Sequence, residues 1–236
     1  MSGPTFIRLL ARLTDVDVPP SQPVASEQLS HWIDWTRAVA LSRALDGAPA
    51  APSPPSGPAS ADEEDCERTR AALLQAITDE PVLAAAWQRD VAAGDEPAEV
   101  QAQADFAIYR ERHLSLQRGM LTATGRLRGR LRDRLAAQSS EMARLAEIDA
   151  VMEQTLSPRE QRLLAAVPAL LGEHFSRLRE AAGAAAADSP PVPDPAAQSA
   201  GHWLDTFRQD MRNVLLAELE VRFQPVQGLL AALRTR

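Results

Sequence analysis

Five arginines in one short stretch of the chain are its best candidates for chemistry with an anion. They stand at alternate positions, namely Arg126, Arg128, Arg130, Arg132 and Arg134. Guanidinium groups bind carboxylates and phosphates, and a cluster of them is typical of nucleic-acid contacts. On a helix, however, these arginines flank Leu127, Leu131 and Leu135, as charges beside a buried apolar face do. We therefore expect ion pairs with acids of a neighbouring helix. Nucleic-acid or anion binding is the alternative, although no aromatic residues interleave to stack on bases.

The other reactive side chains form no recognisable catalytic or metal-binding pattern. None of the four histidines stands three residues after a glutamate, as the di-iron bundle motif requires. Cys66 has acidic neighbours on both sides, which oppose formation of the thiolate. The chain has no G-x-S-x-G, G-x-G-x-x-G or C-x-x-C segment. The sequence thus predicts no catalytic residue, no metal ligand and no cofactor, and a protein that is not an enzyme.

The charge of the chain is unusual in kind and in distribution. All 25 basic residues are arginines, and without lysine the chain cannot form a Schiff base or supply the phosphate-binding lysine of P-loop proteins and protein kinases. The net charge of −7 disfavours unspecific nucleic-acid binding. Nine acids less three arginines give −6 over 62–95, whereas five arginines less one aspartate give +4 over 126–134. We expect these two stretches to pair, within the chain or between subunits.

Two tryptophans are the second candidate site. Trp32 and Trp35 lie in a stretch that predicts one helix, with Ser26 as its N-terminal cap and Gly47 as its C-terminal cap. The two indole rings cannot both lie within one narrow apolar stripe, so the apolar face of this helix is wide. We expect it either to be buried between two helices or to hold a partner protein.

The composition predicts an all-α protein, because alanine and leucine dominate and β-branched residues are sparse. The longest uninterrupted helical pattern runs from Ala98 to Leu156, with an apolar seam that steps by three and four. Three glycines, each costing roughly 1 kcal/mol relative to alanine, weaken its middle at Gly119, Gly125 and Gly129. A straight helix of this length would measure about 90 Å. We therefore expect an elongated helical bundle built along one long, kinked central helix.

Two segments rich in proline and alanine predict disordered linkers, one at 48–61 and one at 183–200. They divide the chain into an N-terminal helical pair over 1–47, a central region over 62–182, and C-terminal helices over 201–236 that pack back on the bundle. The central region is predicted to hold acidic helices, the long central helix and a following kinked helix.

Prolines and capping residues predict where the other helices begin and end. A short amphipathic helix is expected to end near Asp15. Ser157 and Pro158, with Glu160, form a capping box that predicts a new helix. Pro168 should kink or break that helix, and Pro225 should divide the C-terminal one.

The cellular compartment is constrained by what the chain lacks. A single cysteine precludes an internal disulfide and suits a reducing compartment. No apolar run approaches the roughly 20 residues that span a membrane, and the first residues lack the features of a secretory signal. We expect a soluble cytoplasmic protein.

Four stretches of the chain carry a resemblance to a known family. They are FIRLLARL from Phe6, LSHWIDWTRAVALSRAL from Leu29, LLAAVPALLGEHFSRLR from Leu163 and WLDTFRQDMRNVLLAELEVRFQPVQGLLAAL from Trp203. With the central helix, they resemble the bacterial family called domain of unknown function 3348. The resemblance implies no established activity and no active residues. It also implies genes near those of envelope proteins resembling proton-channel subunits and OmpA-like proteins, and hence a cytoplasmic accessory role.

These observations favour an interaction protein over an enzyme. The long seam and the two tryptophans predict a non-enzymatic helical scaffold or adaptor, which binds an unidentified protein partner or forms a homo-oligomer. The alternative function is nucleic-acid or anion binding through the arginines at 126–134.

Overall fold

The computed structural model of the chain describes residues 5–14, 33–46, 59–79, 98–187 and 195–234. Within these ranges the chain forms helices and no strand, which confirms the all-α prediction. The helices of this part are α1 (Thr5–Thr14), α2 (Trp35–Asp46), α3 (Ala59–Thr78), α4 (Ala98–Gln138), α5 (Ser140–Leu164), α6 (Val167–Ala187) and α7 (Pro195–Arg234).

The predicted kink of the central stretch lies at Ser139. α4 continues through its three glycines to the residue before this serine. Ser139 has an extended backbone, and its hydroxyl accepts a hydrogen bond from the Met142 amide at 3.2 Å, which caps α5. An ion pair between Arg128 and Asp149 joins α4 to α5 across this point, so the chain folds back there. The break is therefore set by a serine cap and not by the glycines, which α4 tolerates.

The break also changes which face of the following helix is buried. On α4 the predicted seam is confirmed, and Tyr109, Met120 and Leu135 are among its buried members. On α5 the seam predicted by continuing the same rhythm is wrong, because Ala143 is buried while Leu145 is 37% exposed. A non-helical residue resets the helical phase, so the pattern of α4 does not continue into α5.

Pro158 lies inside α5, so the helix start predicted at Ser157 is wrong. The helix continues to Leu164. A proline has no N–H to offer the carbonyl four residues earlier, which here belongs to Gln154. Nη2 of Arg37 in α2 donates a hydrogen bond to this carbonyl at 3.3 Å. A side chain from another helix therefore stabilises the backbone where the local sequence predicts the start of a new helix.

Several other helix boundaries differ from the prediction. α7 continues through Pro225 to its last turn, so the predicted division at this proline is wrong. The break near Pro168 precedes it, and the proline stands in the first turn of α6, where its missing N–H is not needed. α6 and α7 extend into the predicted second linker, of which 188–194 lies outside the described residues. Of the first linker, 48–58 lies outside them as well.

The helices group into two compact units. Unit 1 contains α1, the end of α3, 98–119 of α4, α6 and 195–219 of α7. Unit 2 contains α2, the rest of α3, 120–138 of α4, α5 and 220–234 of α7. Each core is thus assembled from helices that are distant in the chain.

The two cores differ in chemistry. In unit 1, Phe175 of α6 lies 5.0 Å from Phe207 and 5.1 Å from Trp203 of α7, measured between ring centroids and with edge-to-face geometry. Tyr109 of α4 adds a further edge-to-face contact with Phe207 at 5.2 Å. Such ring pairs stabilise a core beyond simple burial. In unit 2, the fully buried part of α4 is aliphatic, with residues at most 2% exposed at Met120, Leu127, Leu131 and Leu135.

Candidate functional site

Two arginines of the predicted cluster are shared between two carboxylates of α5. Arg128 donates through Nε and Nη2 to the two oxygens of Asp149, at 2.8 and 2.7 Å. Arg132 donates to Asp149 at 3.1 Å and also to Glu153. Burial by itself would lower the pKa of Arg132, but its hydrogen bonds to Glu153 and Asp149 outweigh that effect and raise this pKa. These pairs are partly buried and that of Arg128 with Asp149 is bidentate, so they should be stronger than exposed surface pairs.

Two further arginines reach the acidic start of α3. Arg130 pairs with Asp65, and Nε of Arg134 donates to Asp62 at 2.9 Å. The pairing that the uneven charge distribution predicts is therefore present within the chain. Arg126, in contrast, is exposed and forms no ion pair with any residue that the structure describes. The sequence identified all five residues, but tertiary contacts divide them into four paired arginines and one that faces solvent.

Of the two predicted tryptophans, Trp35 can be placed, whereas Trp32 lies outside the described residues. Residues 33–34 are not helical, so the single helix predicted from Ser26 to Gly47 is wrong, and α2 begins at Trp35. Asp34 caps it, because its Oδ1 accepts a hydrogen bond from the Arg37 amide at 2.8 Å. The same backbone hydrogen bond lowers the pKa of Asp34. The cap holds the first turn of α2, whereas the indole of Trp35 is 83% exposed.

Trp35 belongs to a group of exposed apolar side chains in unit 2. Six large apolar residues of the described part are exposed, and four of them lie on α2 and α5, which pack against each other. We call these four the α2–α5 apolar surface: Trp35 (83% exposed), Leu163 (71%), Leu45 (49%) and Leu145 (37%). Single exposed leucines are ordinary on a protein surface, whereas a tryptophan exposed to this extent is unusual.

Unit 1 contains a buried polar group that the sequence did not reveal. Gln117 of α4 donates to Oε2 of Glu218 on α7 at 2.9 Å, and Glu218 is fully buried. One helical turn before Gln117, His113 is 1% exposed, and neither ring nitrogen has a hydrogen-bond partner among the described residues. Another turn earlier, the hydroxyl of Tyr109 accepts a hydrogen bond from Arg208 at 3.2 Å. The sequence shows that these three residues of α4 are spaced four apart, but it does not show which residues of α7 contact Tyr109 and Gln117.

The remaining histidine and cysteine side chains of the described residues contact other residues of the fold and form no catalytic or metal-binding group in that part of the chain. Nε2 of His174 lies 2.9 Å from Oδ2 of Asp210, as one pair within unit 1. Burial, followed by the charge of Asp65, raises the pKa of the Cys66 thiol and so opposes thiolate formation. No group of three or more histidine, cysteine or acidic residues suited to a metal occurs in the described part of the chain.

A small cleft opens between α4, α5 and α7 within unit 2. Its volume is about 50 Å³, which is space for a few water molecules. Arg128 and Arg222 line it together with Glu153 and Glu160, so two positive and two negative side chains cancel. Arg222 donates to Glu160 across the cleft at 3.2 Å. The arrangement holds the three helices together and shows no excess charge that would select an ion.

Comparison with known proteins gives one family. The model of the family described as "Protein of unknown function (DUF3348)" matches residues 1–235, essentially the whole chain. No curated protein and no solved structure matches the chain significantly. Within the described residues, no helix combines the length and the apolar character needed to cross a membrane.

Proposed function

The chain belongs to the DUF3348 family of proteins of unknown function, and we propose that it is a non-enzymatic helical scaffold or adaptor. Its partner binds the α2–α5 apolar surface of unit 2. The observation that carries this proposal is the exposure of Trp35, at 83%, on a capped helix, with three further exposed leucines on the same helix and on α5. Tryptophan is among the residues that contribute most to the affinity of protein interfaces.

The surroundings of this surface favour a protein as the partner. Exposed charged residues of both signs lie on the same two helices, including Arg43, Asp46, Glu141 and Glu147. An apolar centre with a mixed charged rim is typical of protein interfaces, whereas a nucleic acid or an anionic membrane would require an excess of positive charge. The cytoplasmic location and the association with an envelope complex, which the family resemblance implies, are part of the same proposal.

The magnitude of the expected effect follows from the area of the indole. A tryptophan buries about 150–250 Å², of which 83% is accessible here. At ~25 cal/mol per Å², full burial by a partner would contribute about 3–5 kcal/mol. Allowing for incomplete burial, Trp35→Ala should weaken the complex by about 2–4 kcal/mol, or roughly 30- to 700-fold in Kd.

The experiment compares the full-length chain with two variants. Trp35→Ala removes the proposed anchor, and Ile7→Ala is the matched control, because Ile7 is an exposed apolar residue (41%) on α1 of unit 1. Proteins captured from the native host are quantified, and the affinity of the chosen partner is then measured with purified components. Light scattering of the same samples detects a second copy of this chain as the partner.

The expected result is a partner, or a self-association, that Trp35→Ala weakens and Ile7→Ala leaves within about twofold. Both variants should retain the helical content and thermal stability of the parent, since each side chain is exposed. Equal capture and equal affinity for all three proteins would contradict the proposal. The proposal would also be contradicted if the chain is monomeric and neither substitution changes the set of captured proteins.

The alternative, binding of nucleic acid or another anion through the arginines at 126–134, has less support. Four of these arginines already pair with carboxylates of α3 and α5. An anion would have to displace those acids, and the pairs of Arg128, Arg132 and Arg134 are partly buried. Arg126 alone offers an uncommitted guanidinium within the described part of this cluster.

A further inference from the structure

His113 occupies a position that costs free energy in the folded protein. Its ring is 1% exposed in the core of unit 1, and neither Nδ1 nor Nε2 has a hydrogen-bond partner among the described residues. A buried polar group without a partner loses its hydration and gains nothing in return. Such a group in a folded core calls for an explanation.

The polar groups around this position are already engaged. On α4, Gln117 donates to Glu218 of α7, and the hydroxyl of Tyr109 accepts from Arg208 of α7. Glu218 is the one fully buried carboxylate of the described chain. A neutral imidazole can be accommodated here, but the protonated ring would add a charge and a second donor, and no described acceptor reaches either ring nitrogen.

Two further polar groups of unit 1 have partners of their own. On α6, His174 pairs with Asp210 of α7 at 2.9 Å. On α4 itself, Arg112 donates to the Ala76 carbonyl of α3 at 2.7 Å. No described acceptor reaches Nδ1 or Nε2 of His113, so a protonated ring would have no hydrogen-bonding counter-ion among the described residues.

We propose that His113 is an acid-sensitive trigger, whose protonation loosens the packing of α4 against α6 and α7 in unit 1. Burial lowers the pKa of His113 from 6.5 to about 4. The unfolded chain therefore takes up a proton at higher pH than the folded one. The free energy of unfolding is therefore not reduced by His113 above about pH 6.5. It falls as the pH is lowered from 6.5 toward 4, and below that value His113 causes no further loss. Across this window the equilibrium constant for opening rises by up to about 300-fold, because the pKa of His113 differs by about 2.5 between the unfolded and the folded chain.

The test is hydrogen exchange of the full-length protein at about pH 7 and about pH 4.5, corrected for the intrinsic dependence of exchange on pH. Amides of unit 1 in 98–119 and 195–219 should lose protection in acid. His113→Gln keeps a neutral polar side chain and His113→Leu an apolar one, and either should abolish most of the loss. His202→Gln is the control, because His202 is exposed on α7. Acid-induced opening that persists unchanged in both His113 variants would overturn the proposal.

A second measurement does not depend on the folding of any variant. In the parent protein, the ring protons of His113 are followed by NMR as the pH is lowered. The ring should remain neutral until about pH 5 and titrate together with the opening of unit 1. Titration near the ordinary value of 6.5 in the folded state would refute the trigger. This proposal concerns unit 1 and is independent of partner binding at Trp35.

Discussion

Gly172 of α6 allows a quantitative test of the aromatic core of unit 1. A Cβ built at this position would lie 2.9 Å from Cε1 and 3.3 Å from Cζ of Phe106. The ring of Phe106 lies 5.6 Å from Phe175 and 6.3 Å from Phe207, so a displacement of this ring would disturb both aromatic contacts. The expected cost of overpacking is about 1–3 kcal/mol. We predict that this cost exceeds or cancels the usual benefit of alanine in a helix.

Gly119 of α4 is the matched control. It too lies inside a helix, but nothing lies within 4 Å of the Cβ that alanine would add. Gly119→Ala should therefore stabilise the protein by about 1 kcal/mol, which is the helix preference of alanine over glycine. The free energies of unfolding of the two variants should differ by about 1–3 kcal/mol, the cost of overpacking alone.

The assay is urea unfolding followed by circular dichroism, with the midpoint and the slope analysed separately. The chain has two compact units, so fluorescence must give the same transition before one free energy is assigned. A double variant completes the test. Phe106→Leu removes the clashing ring atoms, so Gly172→Ala should stabilise in that background. Equal stabilisation by Gly119→Ala and Gly172→Ala in the parent would refute the reasoning.

Two further predictions concern the ion pairs and the proline of unit 2. Arg37→Met should destabilise the protein by about 1 kcal/mol, because it removes the donor to the carbonyl left free by Pro158. The loss should shrink in a Pro158→Ala background, where an amide returns, and an unchanged loss by urea unfolding would contradict this role. Arg128→Ala should cost about 1.5–3 kcal/mol, because Asp149 loses its bidentate partner and keeps only the hydrogen bond from Arg132. Arg126→Ala should leave the free energy of unfolding unchanged. In any nucleic-acid binding, it should change the slope of log K against log salt concentration by at most about one. Tight binding at low salt that Arg126→Ala and Arg128→Ala both abolish without loss of stability would instead support a nucleic-acid site.

The sequence alone determined the helical class, the buried face of α4 and the two stretches of opposite charge that pair. Low β-branched content and steps of three and four predicted the buried face of α4 through Leu135, because that pattern depends on local geometry only. Opposite net charges predicted the pairing of the arginine stretch with the acidic start of α3. The family resemblance is confirmed by the match over 1–235.

Tertiary structure decided the helix ends and the fate of each polar side chain. Pro158 predicted a helix start locally, yet α5 passes through it, and Arg37 of α2 donates a hydrogen bond to the carbonyl that this proline leaves free. The glycines of α4 predicted a kink that formed instead at Ser139, where a hydroxyl caps the next helix. Whether His113 has a hydrogen-bond partner and whether Trp35 is covered depend on side chains far away in the chain. Periodicity records which face of a helix is apolar, but only the packed structure determines what that face meets.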